Sequence, residues 1–231
     1  MTKPSIVFAH GLWADGSCYS KVIPALQAEG HEVISAQNSL DTVEGDIASV
    51  RRALGRVSSP AILVGHSYGG SVISGAGVDE RVVGLVYICA LAPDDGETSQ
   101  SLIERFPVTP VFNNIEVAEG RIWLKPSGTA EFCGDLSPGD QKLVYAVQGV
   151  PDVNLFNLKV PGGAWRTKPS HFVLGTNDHT VHPDLQRWEV KRMNATVHEV
   201  ASSHVPMLSH PDVVLTAIRA AANAAHESMV A

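Results

Sequence analysis

The stretch that decides the fold runs Ala61-Ile62-Leu63-Val64-Gly65-His66-Ser67-Tyr68-Gly69-Gly70. Its first half is a continuous apolar run following Pro60, the pattern of a strand buried on both faces in a parallel sheet. Its second half is Gly-x-Ser-x-Gly, carried by Gly65, Ser67 and Gly69. Ser71-Val72-Ile73-Ser74-Gly75-Ala76 can then open a helix. The motif alone is common among ordinary Ser/Gly turns. A buried strand before it and a helix after it make it a sharp turn that holds a serine in a strained backbone conformation. Small residues on either side let strand and helix approach closely. The serine Oγ then sits where helix N–H groups favour developing negative charge.

Working outward, the same strand–helix rhythm continues on both sides. Ser5–Ala9 is a short apolar strand ending at His10-Gly11, followed by the loop Leu12–Ser17. A helix is predicted from about Tyr19 to Glu29, with Gly30 as its stop. His31–Ala36 is the second strand. Asp41 or Thr42 caps a helix whose Val43, Ile47, Val50, Leu54 and Val57 form an apolar stripe. Asp46, Arg51, Arg52 and Arg56 fall off that stripe and read as its solvated face. Arg81–Ala90 is the fourth strand, and Cys89 within it reads as plain core. Ser170–Gly175 is a fifth strand, a helix from Pro183 to about Met193 follows, Ala195–Val200 is the sixth strand, and a last helix spans about Pro211–Ala225. Alternation of this kind implies one α/β domain over 1–231, a mainly parallel sheet with helices on both faces.

The rhythm breaks between Pro93 and about Lys168, where prolines, glycines and scattered aromatics replace clear periodicity. This segment, 93–168, reads as a cap inserted within the domain and folded over the strand ends. Short helices are predicted near Gln100–Arg105, Ala118–Trp123 and Pro138–Gln148. Its aromatics give it apolar area to pack onto the sheet edge, and a roof over the site would exclude polymers and long lipids.

Composition narrows the function classes. A net charge of −7 argues against a nucleic-acid or anionic-membrane partner. The three cysteines, Cys18, Cys89 and Cys133, match no metal or redox spacing. The start of the sequence has no signal-peptide pattern, and the longest apolar run, Val82 to Ala92, is too short to cross a bilayer. The expectation is a cytoplasmic protein with no membrane partner; a homodimer stays open.

In an open parallel sheet, ligands bind beyond the C-terminal strand ends. Four such ends carry candidates here: His10-Gly11, Ser67, Asp178 and His204. The order Ser67…Asp178…His204 suits a nucleophile, an orienting acid and a general base. Asp94 and Asp95, after the fourth strand, are the rival acids. His10 reads as structural, bonding to loop backbone, and His66 as a packing residue. His179 and His182 have metal-like spacing but lack a third ligand, so no metal and no cofactor are expected.

The chain resembles the α/β-hydrolase superfamily, within it the compact plant methylesterase/hydroxynitrile-lyase-like group and its bacterial esterase relatives. The resemblance is carried by Val7-Phe8-Ala9-His10-Gly11-Leu12-Trp13, Lys21-Val22-Ile23-Pro24, Val64–Gly70, Gly175-Thr176-Asn177-Asp178 and Ser203–Pro211. It implies Ser67 as nucleophile, His204 as base and Asp178 as acid. It also implies an oxyanion hole from the backbone N–H groups of Leu12 and Tyr68, and a sheet of about six strands. Trp13 and Gly11 are the candidates for substrate contact. Two departures matter. Ala14-Asp15 stand where plant methylesterases carry a histidine. Gly11 and Val205 stand where hydroxynitrile lyases carry a threonine and a lysine. Without that lysine nothing obvious holds a cyanide leaving group. The expected activity is therefore a serine hydrolase cleaving small carboxylic esters, short-chain or small aromatic, through an acyl-enzyme. The alternatives are lactone hydrolysis, C–C cleavage or a lyase reaction on the same scaffold, or a non-catalytic ligand receptor.

Overall fold

The computed structural model describes residues 3–230. Its centre is a six-stranded sheet of β1 (Ser5–Ala9), β2 (Val33–Ala36), β3 (Ala61–His66), β4 (Val82–Ile88), β7 (Ser170–Gly175) and β8 (Thr196–Val200). The spatial order is β2-β1-β3-β4-β7-β8, and every neighbouring pair is parallel. Strands β1, β3 and β7 are buried at every position, which explains their unbroken apolar runs. The edge strands β2 and β8 are partly exposed and more polar.

The helices connecting these strands are α1 (Ile23–Ala28), α2 (Val43–Leu54), α3 (Tyr68–Ala76) and α7 (Pro183–Met193), and α8 (Pro206–Ser209) and α9 (Pro211–Val230) follow the last strand. Thr42 caps α2 by accepting from the Gly45 N–H at 3.1 Å, worth about 1 kcal/mol. The predicted helix over Tyr19–Glu29 is divided: a 3₁₀ turn at Gly16–Tyr19 precedes a shorter α1. Pro24 sits in the first turn of α1, where its missing N–H costs nothing. Asp46 corrects the reading of α2's polar face. It is fully buried, accepting from the Leu40 N–H at 3.1 Å and from the Tyr68 hydroxyl at 3.0 Å. Burial raises its pKa against the pull of those bonds.

Between β4 and β7 the chain forms α4 (Ser99–Ile103), an antiparallel hairpin of β5 (Ile115–Ala118) and β6 (Arg121–Leu124), α5 (Thr129–Cys133) and α6 (Pro138–Ala146). The hairpin overturns the helix predicted near Ala118–Trp123. Glu119 and Gly120 both have positive φ, so the two-residue turn closes a hairpin whose strands are too short to show periodicity. The segment is tied to the rest of the protein by side chains. Arg192 of α7 lies between the Trp165 and Trp188 rings, 4.9 and 4.5 Å from their centroids, and pairs with Glu97 at 2.9 Å. The Trp13 indole N–H donates to the Ile122 carbonyl at 2.9 Å.

Candidate active site

Three strand ends converge. Ser67 follows β3 and precedes α3, with φ 55° and ψ −124°. That conformation is strained for a residue with a Cβ and persists only where the surroundings fix it. The Ser67 N–H donates to the Ile88 carbonyl at 3.0 Å, and its carbonyl accepts from Gly70 and Leu91 at 2.9 and 3.2 Å. Gly69 allows α3 to sit directly against β1: a Cβ there would collide with the Ala9 carbonyl. Gly11 plays the same part from the other side. A Cβ on it would lie 2.7 Å from the Ser67 Cβ and 3.3 Å from its Oγ. Gly11 is therefore a spacer beside the serine.

Asp178 follows β7 and is buried. Its Oδ1 accepts from the Thr180 and Val181 N–H groups at 2.7 and 3.0 Å. Its Oδ2 accepts from the Gln186 side-chain amide at 2.8 Å and faces the His204 Nδ1 at 2.8 Å. Gln186 is itself fully buried and also accepts from the Gly175 N–H at 3.1 Å. The carboxylate is thus oriented by four donors, one of them the imidazole. His204 follows β8, has no exposed surface, and its Nε2 has no hydrogen-bond partner among the described residues. An imidazole with Nδ1 on a carboxylate and Nε2 unsatisfied is set to accept a proton.

The ring of His204 is packed between His66 and Phe132, with centroids 4.6 and 5.1 Å away. His66 does more than the packing expected of it. Its Nε2 lies 2.8 Å from the His204 carbonyl, so it donates there and holds the loop's backbone. Burial, then the neighbouring His204, pushes the His66 pKa well down, which keeps it neutral. His10 is buried and bonds to backbone only. Its Nε2 accepts from the Asn38 N–H at 2.9 Å, so its Nδ1 donates to the Gly11 carbonyl at 2.9 Å. It shapes the loop that carries Leu12.

The Tyr68 N–H is the first of α3, where no preceding turn offers a carbonyl. The Leu12 N–H makes no hydrogen bond to another described residue, whereas the next N–H, that of Trp13, donates to Gly149 at 2.8 Å. Trp13 has φ 53° and is almost fully buried. It lines a crevice of about 20 Å³ at Ser67 together with Leu12, Ile103, Phe112 and Phe156. The same five residues also line a larger apolar cavity of about 430 Å³.

The rival acids are engaged elsewhere. Arg166 Nε donates to Asp94 at 2.6 Å and holds its carboxyl below the usual range, while Asp95 accepts from the Gly162 N–H at 2.9 Å. His179 and His182 have separate partners. His179 pairs with Glu131 at 2.6 Å, and His182 caps α7 by accepting from the Asp184 N–H at 3.1 Å. Among the described residues, one trio of possible metal ligands lies together: Cys89, Asp178 and His204. Two of these already bond to each other. Burial and then Asp178 raise the Cys89 thiol pKa, so it is a neutral neighbour of the acid. Cys89 is thus more than plain core: it follows β4 directly, at φ 45°, and its sulfur lies within 4.8 Å of the facing Asp178 and His204 atoms. Gln186 carried no sequence signal, since it stands eight residues beyond Asp178 in a polar helix.

The chain matches the alpha/beta hydrolase family over residues 6–217 and belongs to that family. It is 27% identical to the alpha/beta hydrolase nvfD of Aspergillus novofumigatus, over 98% of this chain and all of that protein. It is 27% identical to a pyrethroid hydrolase of Sphingobium wenxiniae, covering 98% of this chain and 90% of that one. Methylesterase 8 of Arabidopsis thaliana is 22% identical, over 93% and 88% of the two chains. A solved pyrethroid hydrolase structure superposes with a TM-score of 0.81 at 26% identity, covering 96% of this chain and 98% of that one.

Proposed function

We propose that the protein is a carboxylesterase that uses Ser67 as nucleophile, His204 as general base and Asp178 as the orienting acid. The observation that carries this reading is the buried imidazole of His204, with Nδ1 on Asp178 and Nε2 unpartnered, at the strand edge that holds strained Ser67. The serine Oγ attacks the ester carbonyl while its proton passes to Nε2. Asp178 stabilises the imidazolium through the Nδ1–H. The Leu12 and Tyr68 N–H groups take the charge that develops on the carbonyl oxygen. Collapse of the tetrahedral intermediate expels the alcohol, which takes the proton back from Nε2. Water then enters, gives its proton to Nε2, and repeats the sequence on the acyl-enzyme, releasing the acid and restoring Ser67. Esterase and methylesterase relatives of matching length support this reaction class.

The substrate is a small neutral ester. Segment 93–168 acts as a cap: Ile103, Phe112 and Phe156 come from it and leave only the narrow crevice at Ser67. A compact acyl group fits there, and the larger apolar cavity takes the other half of the ester. Val205, buried after His204, offers no cation for a cyanide leaving group, so hydrolysis is favoured over lyase chemistry. None of the described helices is long and apolar enough to cross a membrane. The three cysteines are unpaired and buried, which suits a reducing, cytoplasmic setting.

The test is a panel of p-nitrophenyl and methyl esters of increasing acyl length. The expected kcat/KM is highest for short or small aromatic acyl groups and falls steeply beyond them. Faster hydrolysis of emulsified long-chain triglyceride than of short soluble esters would overturn the capped-site reading.

A further inference from the structure

The loop that carries His204 is held by a carboxylate from the inserted segment. Asp135 lies between α5 and α6, some seventy residues before that loop in the sequence. Its Oδ2 accepts from the Ser203 N–H at 3.0 Å and from the Ser202 hydroxyl at 3.2 Å. Its Oδ1 accepts a short hydrogen bond from the Ser203 hydroxyl. Ser202 is also 3.1 Å from the Ser209 hydroxyl of α8, so one carboxylate gathers the residues on both sides of His204. From the neighbouring α5, Phe132 meets the His204 ring edge to face, with centroids 5.1 Å apart.

Asp135 is an exposed residue whose carboxylate makes part-buried hydrogen bonds to Ser202 and Ser203, and no Lys or Arg among the described residues forms an ion pair with it. The titratable groups that sense its charge are the Cys89 and Cys133 thiols, and burial raises both of those above their ordinary values. Burial would raise the Asp135 carboxyl too, but the hydrogen bonds from Ser203 outweigh it and hold the group below its ordinary value. The donors to this anion flank His204: Ser202 and Ser203 stand just before it, and the Ser209 hydroxyl of α8 follows it. Side-chain-to-backbone bonds of this charge-assisted kind are among the stronger hydrogen bonds.

We infer that Asp135 is a positioning residue for His204, so that the imidazole is aligned only while the inserted segment is docked. This rests on the reading of Ser67, His204 and Asp178 given above. The other two members of that set are held by the sheet-connected framework: Ser67 by β4, and Asp178 by its own turn and Gln186. His204 takes part of its support from the segment that would cover the substrate, and the turn after Asp178 touches that segment only beyond the carboxylate, where the His179 and Thr180 carbonyls accept from the Val111 N–H at 3.2 Å and the Thr109 hydroxyl at 2.8 Å. A substrate that wedges this segment away would also loosen the base, so productive binding requires the segment to settle back.

The experiment is steady-state kinetics on p-nitrophenyl acetate for Asp135→Ala, Asp135→Asn and Ser203→Ala, with the rate of Ser67 labelling by a fluorophosphonate. A displacement of about 1 Å at a reacting group can cost roughly 100-fold. Asp135→Ala should therefore lose about that much in kcat, with KM within about threefold and labelling slowed in parallel. Sodium formate should recover part of the lost rate by occupying the vacated carboxylate site, and sodium chloride should not. Ser203→Ala removes one donor without opening a hole in the segment and should lose about tenfold in kcat. If Asp135→Ala does not fold, Asp135→Asn and Ser203→Ala carry the test. Variants with wild-type kcat, or a loss in kcat that formate leaves untouched in a folded Asp135→Ala protein, would overturn the inference. Failure of Ser67 to label in the wild-type protein would instead remove the triad reading beneath it.

Discussion

Gly11→Ala places one methyl group where the structure has no room for it. The added Cβ would stand 2.7 Å from the Ser67 Cβ, 2.8 Å from the His66 carbonyl oxygen and 3.3 Å from the Ser67 Oγ. Carbon–carbon contact is comfortable from about 3.5 Å, so the serine and the loop must separate by roughly 0.8 Å. Neither recoils freely. Ser67 is fixed by the Ile88 carbonyl, and the Gly11 carbonyl is held by the buried His10 ring. Overpacking of this kind costs about 1–3 kcal/mol, or roughly 2–12 °C in Tm for a domain of this size. The displacement also spoils the alignment of Oγ with the proposed base and shifts the loop whose Leu12 N–H would receive the carbonyl oxygen. The expected fall in kcat is about 10- to 100-fold with KM little changed. Thermal unfolding and hydrolysis of p-nitrophenyl acetate measure the two effects. A variant within 1 °C and threefold of the wild type would refute the packing argument, since no relaxed geometry with ordinary contacts would then have been excluded.

Asp178→Asn should lower kcat by about 10³- to 10⁴-fold, because the wrong imidazole tautomer is stabilised, while Asp94→Asn stays within about threefold. The opposite ranking in steady-state kinetics would move the acid to the end of β4. Tyr68→Phe should leave kcat within about twofold, since the proposed oxyanion contact is its backbone N–H, and should cost about 1 kcal/mol in denaturant unfolding through the bond lost at Asp46. A large kinetic defect would show that the hydroxyl takes part. Glu189 is buried beside Arg192, and burial raises its carboxyl to about 8. An acid whose pKa is raised on folding contributes stability below its unfolded value and loses it as pH climbs toward the folded value. The Tm of Glu189→Gln relative to wild type should therefore rise between about pH 4.5 and pH 8, and a flat or falling difference in thermal scans would contradict the burial account.

The central strands β1, β3, β4 and β7 were legible because a strand buried on both faces writes its identity into consecutive residues. Ala61–His66 and Ser170–Gly175 could hardly read otherwise. The hairpin at Ile115–Leu124 was not legible, because four-residue strands with mixed exposure carry no period and their turn is marked only by Glu119-Gly120. Asp46 was misread for a related reason: helical periodicity places a residue on a face, but Tyr68 and Leu40 arrive from elsewhere in the chain to bury it. The supports of the site were the least visible part. Gln186, Asp135 and the His66-to-His204 bond act across separations the sequence does not mark, and each is an ordinary polar residue until the fold supplies its partner.

The central claim is that Ser67 is a nucleophile activated by His204, and intact-protein mass spectrometry after exposure to a fluorophosphonate tests it most directly. The account predicts a single adduct that maps to Ser67, disappears in Ser67→Ala, forms far more slowly in His204→Ala, and appears in step with loss of esterase activity. No adduct on the wild-type protein, an adduct on another residue, or hydrolysis persisting in Ser67→Ala would contradict it.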